Sequence, residues 1–91
     1  MKKTDAIELW AQTVERLRAE IGDESSELWL KPVEASSLEG GVLLLKVPNK
    51  FFSDGIKERY QKRLLSVLRD LAGSEICIDF RVERDLTRVL P

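Results

Sequence analysis

The sequence predicts an α+β domain with elements in the order α-α-β-β-α-β, a three-stranded sheet with its helices packed on one face. Three observations predict it. Apolar residues recur at three- and four-residue spacing over residues 7–21 and again over 56–71, the period of two amphipathic helices. A Gly40-Gly41 pair separates two short segments with strand character, the pattern of a hairpin. After Gly73 the spacing changes to strict alternation of Ile76, Ile78, Phe80 and Val82, the period of a half-buried strand. Packing helices on a sheet in two layers buries all three stripes together.

In chain order, Thr4 or Asp5 caps a first helix that runs to about Ile21, with Ile7, Trp10, Ala11, Val14, Leu17 and Ile21 as its apolar stripe. Leu9 lies about 120° off that stripe. It is expected to be exposed beside Trp10, making a small apolar patch suited to weak self-association. Gly22 stops this helix, because glycine accepts the left-handed conformation common just past a helix end. Asp23 caps a short second helix with Leu28, Trp29 and Leu30 toward the core, and Pro32 ends it by disfavouring helical geometry at the residue before it.

Residues 33–38 form a first strand, weakened by Ser36 and Ser37. Glu39-Gly40-Gly41 is the turn, and residues 42–47 are the second strand, with Leu43, Leu45 and Val47 on one face. Asn49 caps a long helix that reaches about Ala72, where Gly73 stops it. The third strand carries Cys77, Asp79, Arg81 and Glu83 opposite its apolar face, with Cys77 expected to be partly covered. From Arg84 onward no clean period survives, so the domain is expected to occupy residues 1–83, with 84–91 a tail or the start of a linker.

Composition narrows the class. Ninety-one residues fit one small domain, which buries roughly 60–65% of its unfolded surface. At 43% hydrophobic and 34% charged, the chain reads as an ordinary globule rather than a disordered tail. With no membrane-length apolar run, no secretory signal and a single cysteine, the expectation is a cytoplasmic protein with no internal disulfide. The net charge of −1 hides a polarity: residues 1–40 carry five Lys/Arg against nine Asp/Glu, whereas 41–74 carry seven against three. Such polarity favours head-to-tail contacts or a weak site for phosphate backbones, and it also fits plain solvated helix faces.

The residues for catalysis are missing. There is no histidine, Cys77 has no thiol or imidazole partner, and neither a G-x-x-x-x-G-K-[ST] loop nor a G-x-G-x-x-G loop occurs. An enzyme is therefore not expected, nor a metal or cofactor site. A nucleic-acid module would use Lys46, Lys50, Lys57, Arg59, Lys62 and Arg63, but the Gly-x-x-Gly clamp of KH modules is absent between the helices. Protein contact is the better supported class.

Phe51 and Phe52 sharpen that reading. Neighbours on a helix stand about 100° apart, so both cannot face one core. Phased from Ile56, Tyr60, Leu64, Val67, Leu68 and Leu71, Phe52 falls at the flank of the core stripe. Phe51 falls about 160° away, unless a break at Gly55 changes the phase. Phe51 is thus the expected exposed aromatic, with a polar rim from Lys46, Lys50, Asp54 and Lys57, and a place over the hairpin end is its alternative. Trp29 is expected in the core.

Leu9-Trp10, then Leu28-Trp29-x-x-Pro32, then Val47-Pro48-Asn49-Lys50-Phe51 followed by Asp54, Ile56 and Tyr60, give a sequence that resembles the N-terminal domain, domain I, of the bacterial replication initiator DnaA. The resemblance covers roughly Ile7 to Val82. It implies a KH-like α+β fold. It also implies a docking and self-association module that helps load the replicative helicase and receives regulatory proteins, with weak single-stranded DNA binding in some members. Nucleotide hydrolysis and origin recognition belong to later domains, so no cofactor is implied here, and neither a membrane nor a small-molecule substrate.

By the same resemblance Trp10, with Leu9 beside it, matches the self-association position, giving a weak homodimer or oligomer. Phe51, behind the Asn49 cap, matches the aromatic for helicase and regulator contact, and joins Lys46, Lys50 and Lys57 for weak single-strand binding. An acidic partner contact falls on Ser25 in this chain, with Glu24, Asp23 and Glu27 around it to supply the charge. Two alternatives stay open: a free-standing adaptor of the same fold that regulates the initiator, and a KH-like module that chiefly binds single-stranded nucleic acid.

Overall fold

The computed structural model describes residues 3–83. Its elements follow the expected order: α1 (Lys3–Ile21), α2 (Asp23–Trp29), β1 (Glu34–Glu39), β2 (Val42–Val47), α3 (Lys50–Ala72) and β3 (Cys77–Val82). The expected tail at 84–91 lies outside the described residues.

The sheet has the order β1-β2-β3, with β1 antiparallel and β3 parallel to β2. Gly40 and Gly41 have φ of 56° and 76°. Two consecutive positive φ angles are the type I′ turn whose twist matches flanking strands, and Glu39 pairs directly with Val42 across it. The β1 register shifts between Ala35, opposite Leu45, and Ser37, opposite Leu44. The extra residue, Ser36, makes a bulge that resets the alternation. Ala35 and Leu38, three positions apart, therefore both reach the core. Leu43, Leu45 and Val47 alternate as expected and are fully buried. Parallel β3 needs a crossover connection, and α3 is that crossover.

Ile56, Leu64, Val67 and Leu68 are the buried face of α3, which runs through Gly55 without a break. Gly73, at φ 75°, closes it by donating its N–H to the Arg69 carbonyl. Each fully buried aliphatic side chain of this kind contributes about 1.5–3 kcal/mol.

The phase of α1 differs from the expectation. Its buried residues are Ala6, Trp10, Thr13 and Leu17, whereas Ile7 is 51% exposed and Ala11 is exposed. At 100° per residue the core face is rotated by roughly 60° from the stripe predicted above. The rotation carries Leu9 inward, half-buried against the core instead of exposed. Thr13 makes it possible, since its hydroxyl donates to the Leu9 carbonyl at 2.7 Å and so is satisfied inside.

Five smaller expectations also fail. Helix α1 already includes Thr4 and Asp5, so neither is its cap. The cap of α2 is Gly22 rather than Asp23. Leu28 points outward, 61% exposed, while Trp29 and Leu30 are buried. Cys77 is exposed and Val82 is 47% exposed, on a strand that lies at the sheet edge.

Candidate interaction site

The site is built from the cap of α3 outward. Asn49 is extended, and its side-chain Oδ1 accepts the Phe52 N–H at 3.3 Å. This satisfies one of the open amides of the first turn and fixes where the helix begins. Phe51 and Phe52 then occupy that first turn and diverge. Phe52 is half-buried against the core, and Phe51 is 67% exposed.

Trp29, at the end of α2, ties both rings together. Its ring stacks on Phe51 with centroids 5.4 Å apart and planes 27° apart. It meets Phe52 edge-on at 6.0 Å, and the two phenylalanines meet edge-on at 5.8 Å. The Arg59 guanidinium lies 5.2 Å from the Trp29 ring centroid, a cation–π distance. The Trp29 ring rests directly on Gly55, where an added Cβ would collide with its Cζ3 and Cη2 atoms. Trp29 is therefore enclosed by successive turns of α3, and Phe51 sits on top of it with its second face in solvent. Such stacking contributes about 0.5–1.5 kcal/mol beyond burial, enough to hold the exposed ring in one orientation.

Around this aromatic pair the expected partner residues converge in part. Ser25 is half-buried one turn before Trp29 on the same side of α2, and Glu24 is exposed beside it. The Trp29–Phe51 stack thus brings the contact residues expected on α2 next to Phe51 at the start of α3 and its cap, Asn49. Lys50 is exposed next to Phe51. Lys57 lies over the Phe80 ring at 5.6 Å. Lys46 is drawn to the sheet edge, where it pairs with Glu83 at 3.2 Å with 28% of its side chain exposed. The acidic start of α2 is partly compensated: Arg18 contacts Glu15 at 2.9 Å and Asp23 at 3.7 Å, and Glu27 pairs with Lys31 at 3.2 Å. The hydrogen bond to Glu15, followed by the charges of Glu15 and Asp23, raises the Arg18 guanidinium pKa above its ordinary value.

Trp10 is elsewhere and mostly enclosed. It is 6% exposed, and its Nε1–H donates to the Val33 carbonyl at 3.3 Å. Beside it lies an open groove of about 400 Å³, lined by Ile7, Trp10, Ala11, Glu34, Ala35 and Lys46. The apolar surface available there comes chiefly from Ile7 rather than from the Leu9–Trp10 patch expected above.

Reasoning from the sequence missed the part that Trp29, Gly55 and Arg59 play in supporting Phe51. The available signal was a glycine inside an otherwise regular helix, which marks a close approach by a neighbour. Among the described residues no group of side chains is placed to hold a metal ion, and no helix is long and apolar enough to cross a membrane.

Comparison with known proteins covers this same region. The family model described as "DnaA N-terminal domain" matches residues 7–70, which include Trp10, Trp29, Phe51 and Arg59. The chromosomal replication initiator protein DnaA of Methylibium petroleiphilum (strain ATCC BAA-1232 / LMG 22953 / PM1) is 35% identical over 81 residues. That alignment takes in 85% of this chain but 17% of the relative, so the chain spans a small fraction of that protein's length.

Proposed function

This chain belongs to the DnaA N-terminal domain family, and on that premise we propose that it is a non-enzymatic docking and self-association module. It helps recruit the replicative helicase and initiator regulators at the origin, works in the cytoplasm, and uses no cofactor. The observation that carries the reading is Phe51. It is a large aromatic side chain, 67% exposed yet fixed by its stack on Trp29. A rigid exposed aromatic with a polar rim is the profile of an interface hot spot, because little entropy is lost when a partner covers it. Ser25 and Glu24 extend the contact along α2, and Asn49 and Lys50 extend it at the start of α3. Self-association uses the α1 side, through Trp10 and Leu9 with Ile7.

The test is capture of the replicative helicase by the wild-type chain and by Phe51→Ala, with thermal midpoints measured alongside. The reading expects capture to fall at least tenfold, about 1.4 kcal/mol, with the fold retained. Equal capture by both proteins overturns it.

A secondary activity, weak binding of single-stranded DNA, is favoured by the open face of Phe51 beside Lys50, with Lys57 farther along α3 over Phe80. That arrangement offers a stacking platform next to cations. Lys46 contributes little to it, being held by Glu83. Each phosphate contact releases counterions, so affinity is expected to fall steeply between about 50 and 200 mM salt. Undetectable binding at the lower salt removes this activity.

A further inference from the structure

We propose a second self-association contact, head to tail, in which α2 of one copy seats on a groove between α3 and β3 of the next. It deepens the self-association half of the function proposed above and uses neither Trp10 nor Phe51.

The groove measures about 520 Å³. Leu65 and Ile76 give it an apolar floor, Lys62 and Arg69 stand on its rim, and Glu75 is its one acid. Neither Lys62 nor Arg69 makes an ion pair among the described residues, so both charges are available. The complementary surface is α2. Leu28 projects from it, 61% exposed, in a helix whose charged residues are Asp23, Glu24 and Glu27, with Lys31 just beyond. Asp23 already pairs with Arg18 and Glu27 with Lys31, so Glu24 carries the open charge beside the knob, opposite an apolar groove with two cations and one acid.

A molecule cannot satisfy itself this way. Its own Trp29 fixes α2 against Gly55, and Lys62 lies seven residues farther along α3, about 10 Å away. The knob and groove are different surfaces, so the contact is heterologous. Each added copy leaves one knob and one groove open, and the assembly grows instead of closing as a dimer. One short helix on one groove falls below the size of a standard stable interface, so the contact is weak and salt-sensitive. It matters where copies are held close together.

Sedimentation velocity of the full chain at low salt, up to millimolar concentration, tests it. The wild type is expected to gain mass past a dimer without a plateau. Leu28→Ala removes the knob, and Arg69→Glu reverses the groove. Each alone is expected to weaken this association about tenfold or more. Lys62→Glu serves as the second groove variant if Arg69→Glu lowers the thermal midpoint. An equimolar mixture of a knob variant and a groove variant keeps one intact contact of this kind, and is expected to regain association that neither variant shows alone beyond the α1 contact. A monomeric wild type, variants that associate as the wild type does, or a mixture that regains no association would each overturn the proposal. Helicase capture through Phe51 is read separately, so none of these results bears on that function.

Discussion

Phe51 and Phe52 are adjacent, yet one is 67% exposed and the other is packed against the core. Their divergence was legible in the sequence because α3 runs unbroken from its Asn49 cap, so the phase set by Ile56 and Leu64 extends back to the first turn. What supports Phe51 was not legible, since Trp29 comes from another helix and its approach to Gly55 is a tertiary event. Three predictions belong here. Phe51→Ala should lower stability by about 0.5–1.5 kcal/mol, the worth of a stacked pair, as read by denaturant midpoint. A loss of ~3–5 kcal/mol, the range for a core phenylalanine, would make Phe51 structural. Gly55→Ala should destabilise by about 1–3 kcal/mol even though alanine favours helix by roughly 1 kcal/mol, because its methyl group displaces the Trp29 ring. Trp10→Phe should lose about 1–3 kcal/mol, by leaving the Val33 carbonyl without its donor. Thermal or denaturant unfolding checks both, and an unchanged or raised midpoint for Gly55→Ala would mean that Trp29 does not rest on it.

Among elements, those with strict periodicity and strong end signals were legible. Strand β2, helix α3 with its Asn49 and Gly73 ends, and the Gly40-Gly41 turn all stand where the pattern put them. Helix α1 was placed but its face was misjudged, since the pattern discounted Thr13, a polar residue that bonds to the Leu9 carbonyl and sits in the core. Strand β1 looked weak because the Ser36 bulge interrupts its alternation, and a bulge depends on the partner strand as much as on its own residues. Helix α2 is too short for periodicity to choose between Leu28 and Trp29; packing on α3 makes that choice. The α3 cap gives the prediction at this scale. Asn49→Ala should cost about 1 kcal/mol by freeing the Phe52 amide. It should also reduce partner capture more than that stability loss alone explains, because the first turn holding Phe51 frays.

For the whole molecule, three surfaces lie on different parts of one small fold: the Phe51–Trp29 junction of α2 and α3, the Ile7–Trp10 groove beside β1, and the cationic α3–β3 groove. The lopsided charge visible in the sequence puts Asp23, Glu24 and Glu27 on α2, which packs against the first turns of basic α3. A domain that spans 17% of its relative's length can present such surfaces independently of the chemistry carried elsewhere in that protein. The central claim is that the chain docks partners through an aromatic held outward by its own fold. It is tested most directly by measuring helicase affinity for the wild type and Phe51→Ala at matched folded fractions. The account predicts at least a tenfold loss of affinity, about 1.4 kcal/mol, in a protein that loses no more stability than the stack supplies, about 0.5–1.5 kcal/mol. Unchanged affinity in a folded Phe51→Ala protein would contradict it.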